Sequence, residues 1–238
     1  MESAAPPDVL APAPAATWSR ALVARVAASF VFRLSCYGIM VWLALWAEAR
    51  PAPTLPDAVL THVPYVEWID RHNYLLWLVA YVPIALALLV FDAERFIRYM
   101  WTAGGLAIIR GLCIVATGLG PVRGGDLHAG MSDETRWRTF LELGTPLGFF
   151  APDGGARVYL TKDLFFSGHT ATTLLLLLYV WRFPKLRAPM LVAHVLVVAS
   201  VFFSHLHYTI DVIGAYAVTL AVFALREGKL GAASPARA

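Results

Sequence analysis

The chain has little of what a soluble protein of its size needs. Only 15% of its 238 residues are Asp, Glu, Lys or Arg, where about 25% is usual for a water-soluble globule. Its two cysteines, Cys36 and Cys113, lie inside apolar segments with no CxxC or metal-type spacing, which excludes a disulfide framework or zinc ribbon as the organising device. The basic residues form no stripe. A net charge of +3 and a pI near 9.0 come from positions scattered between apolar blocks, so no nucleic-acid partner is expected. No Gly or Pro separates the last two apolar segments, which only "SHLH" divides.

What is abundant is apolar sequence, 59% of the chain with a mean hydropathy of +0.64, the composition of an integral membrane protein. Six segments approach the about 20 apolar residues that span a bilayer: 26–47, 74–91, 99–120, 168–183, 188–204 and 208–225. The expected fold is therefore all-α, a polytopic bundle of six transmembrane helices with both termini on one side. Residues 1–19, Ala/Pro-rich without periodicity, are expected to be a disordered tail. Residues 20–230 form the membrane domain, with a long loop over 121–167, and 231–238 a second tail. A rival reading of the first segment is a signal-peptide core after Arg33, ending at the small-x-small site Ala47-Glu48-Ala49.

Lys and Arg near the helix ends set the orientation. Arg20, Arg25, Arg95, Arg98, Arg182, Lys185, Arg187, Arg226 and Lys229 fall on one side, whereas the 51–72 loop holds only Arg71, with Arg50 at its edge. The first side is expected to be cytoplasmic. The 121–167 loop carries basic residues diluted by six acidic ones and is expected to face outward.

With that topology, two histidine clusters share one depth at the outer face. Segment four opens on Ser167-Gly168-His169-Thr170 and segment six on His205-Leu206-His207-Tyr208. Asp211 follows His207 by four residues, a spacing that stacks side chains on one helix face. A carboxylate on one imidazole nitrogen fixes the tautomer and presents the lone pair of the other, which prepares His207 as a nucleophile. His169 would move the proton on the alkoxide side. Two histidines and an aspartate suit phosphoryl transfer, with Ser167, the Gly168 amide and a cation to receive the phosphate charge. Arg110, inside segment three, is the leading cation, because an arginine at depth is functional by default; the plainer reading is a salt bridge or snorkelling. The mechanism calls for no metal or cofactor. A different class of reading would have His169, His205 and His207 hold haem or a transition metal. Trp77 and the other aromatics at segment edges are read as interfacial anchors.

Two motifs resemble the sphingomyelin-synthase-related proteins of the type-2 phosphatidic acid phosphatase superfamily. "TKDLFFSGHT" is similar to that family's C-G-D-(F/Y)-L-(F/Y)-S-G-H-T, with Thr161-Lys162 in place of Cys-Gly, and "HLHYTIDV" matches H-x-H-Y-(S/T)-x-D-(V/I) without a gap. "RGLCIVATGLGP" resembles the family's Arg-to-Thr-x-Leu-Pro stretch with an extra Gly120. The ordinary phosphatases of the superfamily carry Ser-Arg where this chain has Ser200-Val201, so the resemblance is to the synthase-like branch. It implies that His207 attacks phosphorus, oriented by Asp211, with His169 as acid/base. It also implies substrate contacts from Arg110, Asp163, Ser167, Gly168, His205 and Tyr208. The implied partners are a glycerophospholipid donor and ceramide or another lipid alcohol as acceptor. Water in the acceptor's place gives the alternative, a lipid phosphatase or phospholipase C-like hydrolase.

Overall fold

The computed structural model describes residues 18–144 and 160–232. The expected tails fall almost wholly outside this range, as do residues 145–159 of the long loop. Among the described residues there are seven α-helices and no strand: α1 Arg20–Ala49, α2 Glu67–Phe91, α3 Ala93–Ala116, α4 Asp133–Gly144, α5 Gly168–Val180, α6 Pro184–Phe203 and α7 Thr209–Ala232. The predicted all-α bundle is thus observed, and α4 is a helix within the 121–167 loop.

Five helices, α1, α2, α3, α6 and α7, are long and apolar enough to cross a membrane. The segment expected over 168–183 is different. With 13 residues, α5 rises about 20 Å, short of the about 30 Å hydrocarbon core. It packs on α2, α3, α6 and α7, and its leucine run, Leu174 to Leu177, is buried in protein. A short helix and the non-helical stretch before it are tolerated at depth because neighbouring helices, not lipid, surround them.

The helix ends are fixed by local chemistry. Asp92 closes α2 and opens α3, its Oδ1 accepting from Arg95 N–H at 2.9 Å. α1 lies tight along α3, where a Cβ on Gly111 would approach Met40 Cα to 3.2 Å, so glycine sets that approach. The α6–α7 turn, which lacks Gly and Pro, is a Schellman motif: Leu206 N–H donates to Val201 O at 3.2 Å and His205 N–H to Phe202 O at 3.1 Å. His205 takes the left-handed position at φ 50°, where glycine is the usual occupant.

One end of the bundle gathers the last residues of α1, α3 and α6 with the first of α2, α5 and α7. Val66 N–H donates to Phe203 O at 2.8 Å and Gly130 N–H to Ala49 O at 2.9 Å across that end. Both histidine motifs lie there.

Candidate active site

The start of α7, with the two residues that precede it, supplies one half of the site, so His207 stands just before the helix and not on it as the spacing predicted. His207 Nδ1 stands 3.2 Å from Asp211 Oδ2, and a carboxylate only accepts, so Nδ1 carries the proton and Nε2 presents its lone pair. Asp211 is completely buried and does more than face His207. Its Oδ2 also accepts from Tyr208 N–H at 3.0 Å, its Oδ1 from Phe165 N–H at 3.1 Å, and its carbonyl from Ser167 N–H at 3.0 Å. One residue therefore ties the segment before α5 to the start of α7.

The start of α5 supplies the other half. Ser167 is the N-cap, its Oγ accepting from Thr170 N–H at 3.4 Å, and the Gly168 and His169 amides open the helix, where no preceding turn accepts from them. The His169 and His207 rings are 6.5 Å apart at an interplanar angle of 64°. His169 Nε2 is shut off from solvent and has no hydrogen-bond partner among the described residues. The Trp77 ring of α2 lies 5.2 Å from the His169 ring, and Trp77 Nε1 is likewise buried without a partner.

Arg110 of α3 reaches the same place but is largely occupied. Nε donates to Phe166 O at 2.7 Å and Nη2 to Asp163 O at 3.1 Å, while Nη1 pairs with Asp163 Oδ1 at 2.9 Å and lies 3.2 Å from Met40 Sδ. Two residues expected to contact substrate thus hold each other, and the salt bridge read as the plainer role of Arg110 is present. The guanidinium lies over Gly168, where a Cβ would sit 3.0 Å from Cζ. Arg110 Nη2, which bonds only Asp163 O, retains a second N–H donor for a group brought to the mouth of α5.

The remaining expected residues are placed otherwise. Tyr208 turns its hydroxyl to the loops, accepting from Leu55 N–H at 2.9 Å with the Gly120 and Pro121 carbonyls at 3.1 and 3.2 Å. His205 Nε2 bonds Val63 O at 2.9 Å. Among the described residues no three His, Cys, Asp or Glu side chains gather to hold a metal ion.

Sequence reasoning missed a clamp on the segment leading to His169. Glu48, buried at the end of α1, accepts from Thr161 N–H and Lys162 N–H at 2.9 and 2.8 Å and from Thr161 Oγ1 at 2.5 Å. Thr161 and Lys162 are the positions where the family motif has Cys-Gly. Lys162 Nζ in turn donates to Arg50 O at 2.6 Å and pairs with Asp126. Burial pushes the Asp126 carboxyl up, but hydrogen bonds and charge, chiefly from Lys162, outweigh it and hold that carboxyl below its usual range. An acidic residue ending an apolar segment was the available signal for Glu48, and Trp77, read as an anchor, carried none.

Residues 162–228 match the family described as PAP2 superfamily C-terminal, a stretch that contains both histidine motifs. No curated protein matches the chain at the level required for a significant match. The family match supports the type-2 phosphatidic acid phosphatase superfamily and, with it, phosphatase or phosphotransferase chemistry on lipids.

Proposed function

We propose that this protein is a membrane phosphotransferase of the sphingomyelin-synthase-like kind. It moves phosphocholine or phosphoethanolamine from a glycerophospholipid to ceramide or another lipid alcohol. The observation that carries the reading is the Asp211-oriented His207 facing, across 6.5 Å, a His169 whose Nε2 is buried and unpartnered.

The reaction runs in two displacements. His207 Nε2 attacks phosphorus and the bond to the diacylglycerol oxygen breaks, while His169 gives its proton to that oxygen. Asp211 stabilises the imidazolium character that develops on His207. The acceptor hydroxyl then gives its proton to His169 as its oxygen attacks phosphorus, and the P–N bond to His207 breaks. Charge on the phosphate oxygens is met by the Gly168 and His169 amides at the start of α5 and by the remaining Arg110 donor. A lipid alcohol is favoured over water because His169 Nε2 is shielded from solvent beneath Trp77, where a dry acceptor competes best. The site would face the extracytoplasmic side, a reading supported by the distribution of Lys and Arg.

The test is product analysis. Purified protein is incubated with labelled phosphatidylcholine or phosphatidylethanolamine, with and without ceramide, beside His207→Ala. Head-group-bearing ceramide from the wild type alone is the expected result. Free phosphocholine or phosphoethanolamine in every reaction would make the protein a hydrolase, and no product from any lipid would sink the reading.

A further inference from the structure

Arg33 is a charge inside a membrane helix that the mechanism above does not use. It lies thirteen residues after the start of the 30-residue α1, about 20 Å along the helix, inside the apolar span and away from both helix ends. Among the described residues it forms no ion pair and no hydrogen bond, and its Nη1 is buried without a partner. Its guanidinium lies by the face of Tyr37, Cζ 5.8 Å from the ring centroid. An arginine inside an apolar span without a counter-charge points to a function.

Its surroundings say what that is. α1 packs on α3 and α4, and α2 on α3, α5 and α6, so α1 and α2 flank a seam in front of α3. Side chains bridge the seam: Tyr37 of α1 and Tyr74 of α2 share a hydrogen bond. The hydroxyls of Tyr37, Tyr74, Tyr81 and Tyr99 all fall within electrostatic range of the Arg33 guanidinium. Along α2 the rings of Tyr74, Trp77 and Tyr81 run in contact, at 5.3 and 4.6 Å, and Trp77 continues to His169 at 5.2 Å. An aromatic track thus connects Arg33 with the candidate acid/base. Every polar atom that Arg33 itself offers is a donor, so the missing ligand is an acceptor.

Depth narrows the ligand further. Met40, whose Sδ touches Arg110, follows Arg33 by seven residues, so the Arg33 backbone lies about 10 Å beneath that of Met40, and its guanidinium contacts the ring of Tyr37, a residue one turn higher on the same helix. A lipid with its phosphate at His207 has its acyl-ester carbonyls as the next acceptors down. We propose that Arg33 is a lipid-backbone subsite, donating to the ester carbonyl oxygens of a glycerophospholipid that occupies the seam between α1 and α2. The inference rests on the phosphotransferase reading for the place of the phosphate.

The experiment reads binding, not turnover. Full-length protein in detergent is given radiolabelled diacyl phosphatidylcholine and phosphatidylethanolamine, and their dialkyl ether analogues, which lack the carbonyls. Wild type is expected to retain the diacyl forms about tenfold more tightly, the effect of a hydrogen bond from a charged donor. Arg33→Met should erase that preference while leaving ether-lipid retention unchanged. Because the guanidinium is unpaired, Arg33→Met should also keep or raise the Tm of the lipid-free protein. A persistent ester preference in Arg33→Met, no preference in wild type, or a variant that is destabilised or fails to fold would each overturn the subsite. Arg33-dependent ester binding in a wild type that yields no product would instead overturn the phosphotransferase reading alone.

Discussion

Gly168 lies so close beneath Arg110 that a Cβ there would stand 3.0 Å from Cζ and 3.2 Å from Nε. The guanidinium is fastened to Phe166 O and Asp163 O, so it cannot retreat without releasing the segment that leads into α5. Gly168→Ala is expected to lower kcat by about 10–100-fold, with an overpacking cost of about 1–3 kcal/mol. Turnover and thermal melts check this, and wild-type kcat in the variant would show that the guanidinium's position is immaterial.

Asp211→Asn should be worse than a tautomer defect. Both carboxylate oxygens accept, from Phe165 N–H and from Tyr208 N–H beside His207, and an amide offers only one acceptor. A loss of about 10³–10⁴-fold in kcat is expected, the scale for misorienting a catalytic histidine. Its Tm should fall below that of His207→Ala. Equal melting temperatures for the two variants would argue against the second role of Asp211.

Glu48 touches no reacting group, yet it holds Thr161 and Lys162 from 113 and 114 residues away. Glu48→Gln keeps one acceptor and turns a donor toward another donor, which costs about 1–3 kcal/mol for each buried group left unpaired. kcat should fall with little change in KM, because the segment carrying Asp163 to Gly168 loses its anchor. A variant with wild-type kcat and Tm would remove Glu48 from the site's support.

Asp57 gives a pH signature. Burial pushes its carboxyl up, but hydrogen bonds from Thr209 N–H, Leu60 N–H, the Thr209 hydroxyl and Val59 N–H outweigh this and hold it below its usual range. A depressed carboxyl stabilises the fold above the unfolded-state value of about 3.9 and loses that contribution as pH falls through its folded value. Asp57→Asn should therefore melt lower than wild type at pH 7, and the gap should close as acid titrates Asp57. A gap that is constant from pH 7 to pH 3 would refute the linkage.

Orientation can be read with two cysteines, in a background where Cys36 and Cys113 are replaced by alanine. Leu127, 78% exposed, lies at the end that holds the site, and Lys185, also exposed, at the opposite end. In intact cells an impermeant thiol reagent should label Leu127→Cys, and Lys185→Cys only after lysis. The opposite pattern would put the site on the cytoplasmic face.

Much of this was legible in the residues themselves. The apolar segments were found because hydrophobic burial in lipid is written as composition. The His207–Asp211 pair was found from its spacing of four residues, but His207 precedes α7, and the pair closes because the Asp211 carboxylate folds back over the helix start to accept from Tyr208 N–H and face His207. Less visible was the α6–α7 turn, where His205 stands in the position that usually carries glycine, so no breaker residue announced it.

The sequence by itself determined a membrane-embedded helical protein with two histidine motifs and an aspartate four residues after one of them, since each is written in local composition or spacing. Only the tertiary structure decided that α5 is short and central, that Arg110 is engaged by Asp163 and two nearby carbonyls, that Glu48 grips the segment before His169, and that Trp77 lies against the His169 ring. Those relations join residues dozens of positions apart. They depend on which helix faces close-pack against which, and no periodicity along the chain encodes that choice.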